Sequence, residues 1–153
     1  MINPHPAPES RSPTLPVVDV DAAPSPLGER AGVYIHVPFC AHICSYCDFN
    51  TYAGQESLIP RYVDAVERDI AARANDFSAH TMDTIFIGGG TPSLLPAESI
   101  GRWIRACRSM FTMGDEVEVS LEANPNGLTE TYLADLREAG VNRLSIGAQT
   151  LDR

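Results

Sequence analysis

The chain has 153 residues, enough for one domain of ordinary size. Its 20 acidic and 11 basic residues give a formal net charge of −9, and no stretch is strongly basic, so a nucleic-acid partner is not expected. Its apolar runs are too short for a membrane span and its N-terminus has no signal-peptide core, so we predict a cytoplasmic protein.

The first 30 residues form a proline-rich segment that differs from the rest of the chain. Seven of the 12 prolines lie there, mixed with alanine, serine and aspartate. Such a composition buries too little apolar surface to offset the entropy lost on ordering. We predict that residues 1–30 are a disordered extension and that residues 31–153 belong to a folded core.

Strands alternate with helices through the predicted core. Four segments rich in β-branched and aromatic residues have the length of strands: residues 33–37, 84–87, 117–121 and 142–146. Apolar residues recur at helical spacing between them, and the helices begin near Pro60, Pro96 and Thr129, with Gly140 ending the last. The order β-α-β-α-β-α-β predicts an α/β fold with a parallel sheet and right-handed crossovers.

Three cysteines directly follow the first predicted strand. Cys40, Cys44 and Cys47 have the spacing C-x3-C-x2-C. A four-iron cluster normally takes four cysteines, so three would leave one iron open to a ligand. The remaining cysteine, Cys107, lies 60 residues further on, in the apolar stripe of the second helix, where we predict a small core residue.

The cysteine triple also has other interpretations. A zinc site of the Cys3His type could use His36 or His42 as its fourth ligand, although no second C-x2-C knuckle is present. A disulfide or redox-active thiols are disfavoured in a reducing compartment. For His36, in the middle of a strand, a structural role is favoured over a ligand role. The spacing favours an iron–sulfur cluster over these alternatives.

Further polar or glycine-rich motifs follow the other three predicted strands. The three glycines at residues 88–90 follow the second strand, Glu122 follows the third and Gln149 lies just past the fourth. Glycines allow the backbone to approach a ligand closely, although they also make tight strand-to-helix turns. Glu122 could accept hydrogen bonds, Gln149 could donate or accept them, and Tyr46 could stack on a heterocycle. Because ligands gather at the carboxyl ends of parallel strands, these motifs predict one site.

Several of these segments together resemble radical S-adenosylmethionine (SAM) proteins. They are Tyr34-Ile35-His36-Val37-Pro38-Phe39-Cys40, the rest of the triple with Asp48-Phe49, and Gly88-Gly89-Gly90-Thr91-Pro92-Ser93. The chain is more closely similar to the oxygen-independent coproporphyrinogen III oxidase-like family, including its heme-chaperone branch, whose motifs also match residues 122–125 and 144–149. The resemblance covers about residues 33–150 and implies a partial TIM barrel of parallel β/α units. This chain would hold its first four strands, as an N-terminal fragment that we expect to be poorly stable alone because its last strand lacks a neighbour.

The resemblance implies a cofactor site. Cys40, Cys44 and Cys47 would hold a [4Fe-4S] cluster whose fourth iron takes the amino and carboxylate groups of SAM, and reductive cleavage of SAM would give a 5′-deoxyadenosyl radical. The implied SAM contacts are Gly89, Gly90 and Thr91 at the methionyl end, Glu122 at its amino group, Gln149 at the ribose, Tyr46 and Phe49 near the adenine, and Tyr34 in the same site.

Phe49 separates two functions within the resembled family. It stands two residues after the triple, where the oxidases carry a further cysteine. This difference favours a heme chaperone that delivers heme to client hemoproteins, with the heme-binding region outside this chain, and leaves enzymatic activity uncertain. The alternatives are oxidative decarboxylation of coproporphyrinogen III by a 5′-deoxyadenosyl radical, and a zinc-binding module or inactive fragment. Either porphyrin function would also require an electron donor for the cluster.

Overall fold

The computed structural model describes residues 28–149. Most of the predicted proline-rich extension, and residues 150–153, lie outside this range. The first strand begins at Glu29, two residues before the predicted start of the core. Within the described range, no helix has the length and apolar character needed to cross a membrane.

The described residues form alternating strands and helices. The strands are β1 (Glu29–Val37), β2 (Phe39–Cys40), β3 (Tyr52–Ala53), β4 (His80–Gly89), β5 (Thr112–Ala123) and β6 (Arg143–Ile146). The helices are α1 (Ile59–Arg73), α2 (Ala97–Met110) and α3 (Glu130–Ala139), and short 3-10 turns cover Glu56–Leu58 and Pro92–Leu94. The four predicted strands are confirmed as β1, β4, β5 and β6. The two-residue strands β2 and β3 were not predicted, because they are too short to have a period.

The predicted helix boundaries are also confirmed. Pro60 is the second residue of α1, where its missing N–H costs no helical hydrogen bond. Pro96 immediately precedes α2. The side chain of Thr129 caps α3 by accepting a hydrogen bond from the Tyr132 amide at 3.1 Å. Gly140 ends α3 with φ +109°, in the left-handed region that glycine adopts without steric cost.

The main sheet is parallel, and its strands lie in the order β1-β4-β5-β6. Each strand–helix–strand unit therefore adds its second strand beside the first, always in the same direction. Right-handed crossovers then place all three helices on one face of the sheet, and α2 contacts both α1 and α3. This is the arrangement in which a β/α barrel begins, and it differs from a doubly wound sheet, in which the strand order reverses.

The face of the sheet that packs against the helices is apolar. Its buried strand residues are Ile35, Val37, Ile85, Ile87, Val119 and Leu121. On α2, Trp103 and Cys107 have no exposed surface, and the Trp103 indole donates to the Val63 carbonyl at 3.1 Å. The prediction that Cys107 is a core residue is confirmed, and burial raises the pKa of its thiol to about 11.

The opposite face of the sheet carries aromatic and polar side chains near the carboxyl ends of the strands. Side chains alternate along a strand, so residues next to the buried ones point to this second face. Strand pairing aligns Tyr34 with Phe86 and His36 with Gly88. Toward the other edge of the same sheet, strand pairing aligns Glu122 of β5 with Ser145 of β6. Functional groups from different strands therefore meet on one surface.

Candidate cofactor site

A cavity of about 370 Å³ lies at the carboxyl ends of the strands. Its lining includes ten of the eleven residues predicted for the cofactor site: Cys40, Cys44, Tyr46, Cys47, Phe49, Gly89, Gly90, Thr91, Glu122 and Gln149. The cavity has the volume of a typical small-molecule site. The prediction that four separate motifs share one edge of the sheet is therefore confirmed in position.

The cysteine loop, residues 41–50, is held at its base by the small parallel sheet of β2 and β3. The amide of Tyr52 donates to the Pro38 carbonyl at 2.7 Å, which closes the loop. Cys40 at the end of β2 is almost buried, whereas Cys44 and Cys47 are partly exposed. The Cys47 amide donates to the Cys44 carbonyl at 3.0 Å, so a turn brings these two residues together. All four cysteines of the chain are free thiols.

The glycine turn after β4 packs directly against Cys40. The Thr91 hydroxyl lies 3.6 Å from the Cys40 sulfur, to which it can donate a hydrogen bond. A Cβ atom on Gly90 would lie 2.9 Å from that sulfur and 2.7 Å from the Phe39 carbonyl oxygen. Only glycine lets the turn approach so closely. Hydrogen bonds to ligating sulfur atoms are one way in which proteins tune an iron–sulfur centre.

The amides of the glycine turn already have partners within the protein. Gly89 N–H donates to Glu122 Oε2 at 2.9 Å, Gly90 N–H to the Val37 carbonyl at 2.7 Å and Thr91 N–H to the Phe39 carbonyl at 2.8 Å. From the sequence, this run was predicted to bring its backbone close to a ligand. These hydrogen bonds join the turn to β1, β2 and β5, so its amides are not free to bind a ligand.

Glu122 joins the glycine turn to the end of β5. It is half-buried, and its Oε2 atom accepts the hydrogen bond from Gly89, while Oε1 has no hydrogen-bond partner among residues 28–149. The next loop is held by Ser93, whose hydroxyl accepts from the Asn124 amide at 3.1 Å. This role of Ser93 was not predicted from the sequence. The sequence signal for this role was the position of Ser93, which ends the motif Gly88-Gly89-Gly90-Thr91-Pro92-Ser93.

The predicted aromatic residues fall into two groups. Tyr46 and Phe49 line the cavity with 80% and 67% of their surfaces exposed, so each ring is free to contact a ligand. A hydrogen bond with the Cys44 side chain raises the pKa of Tyr46. Tyr34 does not line the cavity. Its ring stacks on Phe86 with centroids 6.0 Å apart, and burial, together with the charge of Glu122, raises its pKa.

Of the two histidines considered as zinc ligands, His36 does not line the cavity that the cysteines border, whereas His42 does. His36 Nδ1 lies 2.9 Å from the Tyr34 hydroxyl, and Nε2 lies 2.9 Å from the Asn50 carbonyl oxygen, so both nitrogens are engaged. His42 is exposed on the cysteine loop. Within the described part of the chain, no three His, Cys, Asp or Glu side chains are grouped as they would be around a single metal ion. In a four-iron cluster each thiolate binds a different iron, so the cysteines need not converge on one point.

The chemistry of the donor set fits an iron–sulfur cluster and a polar organic ligand. Three free thiols border the cavity, and the nearly buried one is contacted by a hydroxyl donor. The same cavity is lined by the glycine turn, by the carboxylate residue Glu122, by the amide residue Gln149 and by exposed aromatic residues. The fold and this cavity together define a class: β/α-barrel proteins with a thiol-lined cofactor site at the carboxyl ends of the strands.

Comparison with known families identifies the superfamily to which the chain belongs. The model of the radical SAM superfamily matches residues 34–153. The match covers well over half of the chain, so the chain belongs to the radical SAM superfamily. Membership in general implies a [4Fe-4S] cluster and SAM, in agreement with the donor set of the cavity.

The chain is similar to several curated proteins and to one solved structure. It is 40% identical over 132 residues to "Heme chaperone HemW" of Mycobacterium tuberculosis, covering 84% of this chain and 34% of the relative. Identity is 42% over 120 residues to the protein of the same name from Bacillus subtilis, covering 78% and 32%. The solved coproporphyrinogen III oxidase HemN from Escherichia coli matches with a TM-score of 0.74 and 32% identity, covering 85% and 30%. The chain thus spans about a third of the length of these proteins.

Proposed function

We propose that this chain is the cluster- and SAM-binding part of a heme chaperone, a protein that carries heme to client hemoproteins. The observation that carries the proposal is Phe49 at the position where the oxidases of the resembled family have a further cysteine. The similarity to bacterial proteins named heme chaperones, at about 40% identity, supports the same function.

In this proposal the cysteine loop and the glycine turn bind two parts of one cofactor assembly. Cys40, Cys44 and Cys47 hold three irons, and the fourth iron is left for SAM. The bound cluster and SAM would supply one-electron reductive chemistry. The protein's own contribution is to position these groups and to limit the access of water.

Each remaining lining group is assigned to a part of SAM by its chemistry. Glu122 Oε1 is free of other described partners and accepts a hydrogen bond from the ammonium group. The carbonyls of Gly89 and Gly90, with the Thr91 hydroxyl, surround the methionyl end. Gln149 bonds the ribose hydroxyls, and the exposed rings of Tyr46 and Phe49 stack near the adenine.

Tyr34 is assigned a less direct role. It lies on the same sheet face as Glu122, whose charge contributes to its raised pKa, but outside the cavity lining. We propose that it supports the site through His36 and Phe86. A longer ligand that extends beyond the cavity would reach its exposed ring edge, since 58% of Tyr34 is exposed.

A second candidate function is oxidative decarboxylation of coproporphyrinogen III. The similarity to HemN, at a TM-score of 0.74, favours it. Both candidates share the cluster, SAM, a tetrapyrrole, an electron donor and a cytoplasmic location, all of which are predictions here. They differ in whether the tetrapyrrole is carried unchanged or loses carboxyl groups.

Heme titration of the full-length protein separates the two functions. A chaperone is expected to bind heme with a defined stoichiometry, seen as a saturable Soret band, and to pass it to an apo-hemoprotein. It is also expected to leave coproporphyrinogen III unchanged in the presence of SAM and reductant. Conversion of coproporphyrinogen III without saturable heme binding would favour the oxidase and contradict the proposal.

A further inference from the structure

His36 is hydrogen-bonded at both ring nitrogens between two parts of the site. Its Nε2 atom lies 2.9 Å from the carbonyl oxygen of Asn50, the last residue of the cysteine loop. Its Nδ1 atom lies 2.9 Å from the hydroxyl of Tyr34, two residues earlier on β1. The imidazole thus bridges a rigid strand and the end of an exposed loop.

The Asn50 carbonyl fixes the direction of one hydrogen bond and, for a neutral imidazole, the tautomer that decides the other. A carbonyl oxygen can only accept, so Nε2 carries a hydrogen and donates it to Asn50. In the neutral imidazole Nδ1 is then the acceptor, and the Tyr34 hydroxyl donates to it. Tyr34 also stacks on Phe86, which limits the movement of its ring.

The space around the imidazole is closed on the side of the glycine turn. Gly89 has φ +118°, and a Cβ atom there would lie 2.7 Å from both His36 Cε1 and His36 Nδ1. The Cε1–Nδ1 side of the ring therefore lies directly against Gly89, whose amide donates to Glu122. Its own backbone is held separately, because the Tyr62 hydroxyl donates to the His36 carbonyl at 2.5 Å.

We propose that His36 is a positioning residue that holds the cysteine loop in register with β1 and with the glycine turn. The importance of this role for the cofactor rests on the function proposed above. The loop is anchored at its start by Cys40 in β2. The other end of the loop is held by two hydrogen bonds. One runs from His36 Nε2 to the Asn50 carbonyl, and the other runs from the Tyr52 amide of β3 to the Pro38 carbonyl. Loss of the His36 bond would loosen the loop that presents Cys44 and Cys47.

Two substitutions at His36 separate the two hydrogen bonds. In His36→Gln the longer amide side chain can still place an N–H group near Asn50. In His36→Asn the shorter side chain extends only as far as Nδ1 of the original imidazole. The Asn50 carbonyl, which accepts from Nε2, therefore loses its donor. Tyr62→Phe is the matched control, since it removes a hydrogen bond to the His36 backbone and leaves the imidazole contacts in place.

Loop mobility in the full-length, cluster-free protein is the first readout. We expect His36→Asn to raise both amide exchange across residues 41–50 and the alkylation rates of Cys44 and Cys47 by about threefold to tenfold, the effect of losing one hydrogen bond. His36→Gln should restore most of the protection, and Tyr62→Phe should leave loop rates near those of the parent. Exchange in α2 reports general stability and should not change.

Iron retention is the second readout. After anaerobic reconstitution, His36→Asn should release iron to a chelator several times faster than the parent and His36→Gln. Equal loop exchange in His36→Asn and the parent would overturn the proposal, as would equal acceleration in the loop and in α2, which indicates general destabilisation. If the parent binds no iron while the loop still responds to His36→Asn, the positioning role stands and the proposed function fails.

Discussion

The cysteine loop and helix α2 use the same residue type in opposite surroundings. Cys107 on α2 has no exposed surface, and burial raises the pKa of its thiol to about 11. Cys44 and Cys47 are partly exposed beside a cavity, and Cys40 receives a hydroxyl contact from Thr91. A buried thiol with a raised pKa is inert, whereas accessible thiols near hydrogen-bond donors can ligate a metal. The surroundings, and not the residue type, therefore separate core from site.

The largest effect is expected from removing one of the three cysteines Cys40, Cys44 and Cys47. Cys44→Ser should abolish cluster binding, because the remaining two thiolates cannot hold three irons. Cys107→Ala should keep the full iron and sulfide content, with a lower melting temperature from the cavity it leaves in the core. Iron and sulfide analysis after anaerobic reconstitution measures both. Loss of the cluster in Cys107→Ala, with the fold intact, would contradict the assignment of the loop as the site.

A large effect is also expected where the glycine turn meets Cys40. In Gly90→Ala the new methyl group would lie 2.9 Å from the Cys40 sulfur and 2.7 Å from a backbone oxygen, so the turn or the thiol must shift. We expect markedly lower cluster occupancy and a destabilisation of about 1–3 kcal/mol, as for overpacked sites.

The matched control for this substitution is Gly101→Ala on α2. There the added methyl meets the flexible end of Arg105 at 3.0 Å and the Ala139 methyl at 3.3 Å. Alanine's higher helix propensity offsets this crowding, so occupancy should match the parent. Visible absorbance of the reconstituted proteins and thermal denaturation measure the two effects. Normal occupancy in Gly90→Ala would show that the close approach is not needed for the cluster.

A smaller effect than those of Cys44→Ser and Gly90→Ala is expected when Glu122 loses its charge, and it concerns SAM binding. Glu122→Gln keeps an oxygen that can accept from Gly89 but cannot pair with an ammonium group as a carboxylate does. We expect SAM affinity to fall about tenfold to a hundredfold, with the cluster retained. Glu118→Gln, on the same strand face but further from the carboxyl end, is the control. Equal SAM affinity in Glu122→Gln and the parent, by equilibrium dialysis, would exclude this contact.

The smallest expected effect concerns the pH dependence contributed by Cys107. Burial raises its pKa from 9.0 to about 11, so the unfolded chain loses this proton first as the pH rises. The stabilisation is complete below about pH 9 and is lost by about pH 11, with an upper bound of about 2–3 kcal/mol. The unfolding free energy should therefore fall less steeply over this range in Cys107→Ala than in the parent. Identical slopes in urea denaturation under reducing conditions would contradict this.

Much of the fold could be predicted because its signals are periodic. The strands around Ile35, Ile85 and Val119 alternate with helices whose apolar residues recur at helical spacing. Cys107 falls in the stripe that contains Trp103, so its burial followed from position. The convergence of four motifs followed from topology alone, since parallel strands end at one edge of a sheet.

The rest of the site could not be predicted because it depends on contacts distant in sequence. The amides of Gly89 and Gly90 are used by Glu122 and Val37, and no local pattern reports such partners. Strands β2 and β3, which close the cysteine loop, have two residues each and no detectable period. Tyr34 points to the same face of the sheet as Glu122 but lies outside the cavity. The alternation of side chains along a strand determines the face to which a residue points, but not whether its side chain reaches the cavity.

In the proposed function, Cys40, Cys44 and Cys47 hold a cluster with one iron open to SAM. Anaerobic reconstitution of the full-length protein with iron and sulfide, followed by EPR of the reduced form with and without SAM, tests it most directly. We expect a [4Fe-4S]⁺ signal that SAM shifts and that is absent in Cys44→Ser. A protein that binds zinc in place of iron, or a cluster whose signal SAM leaves unchanged, would contradict it.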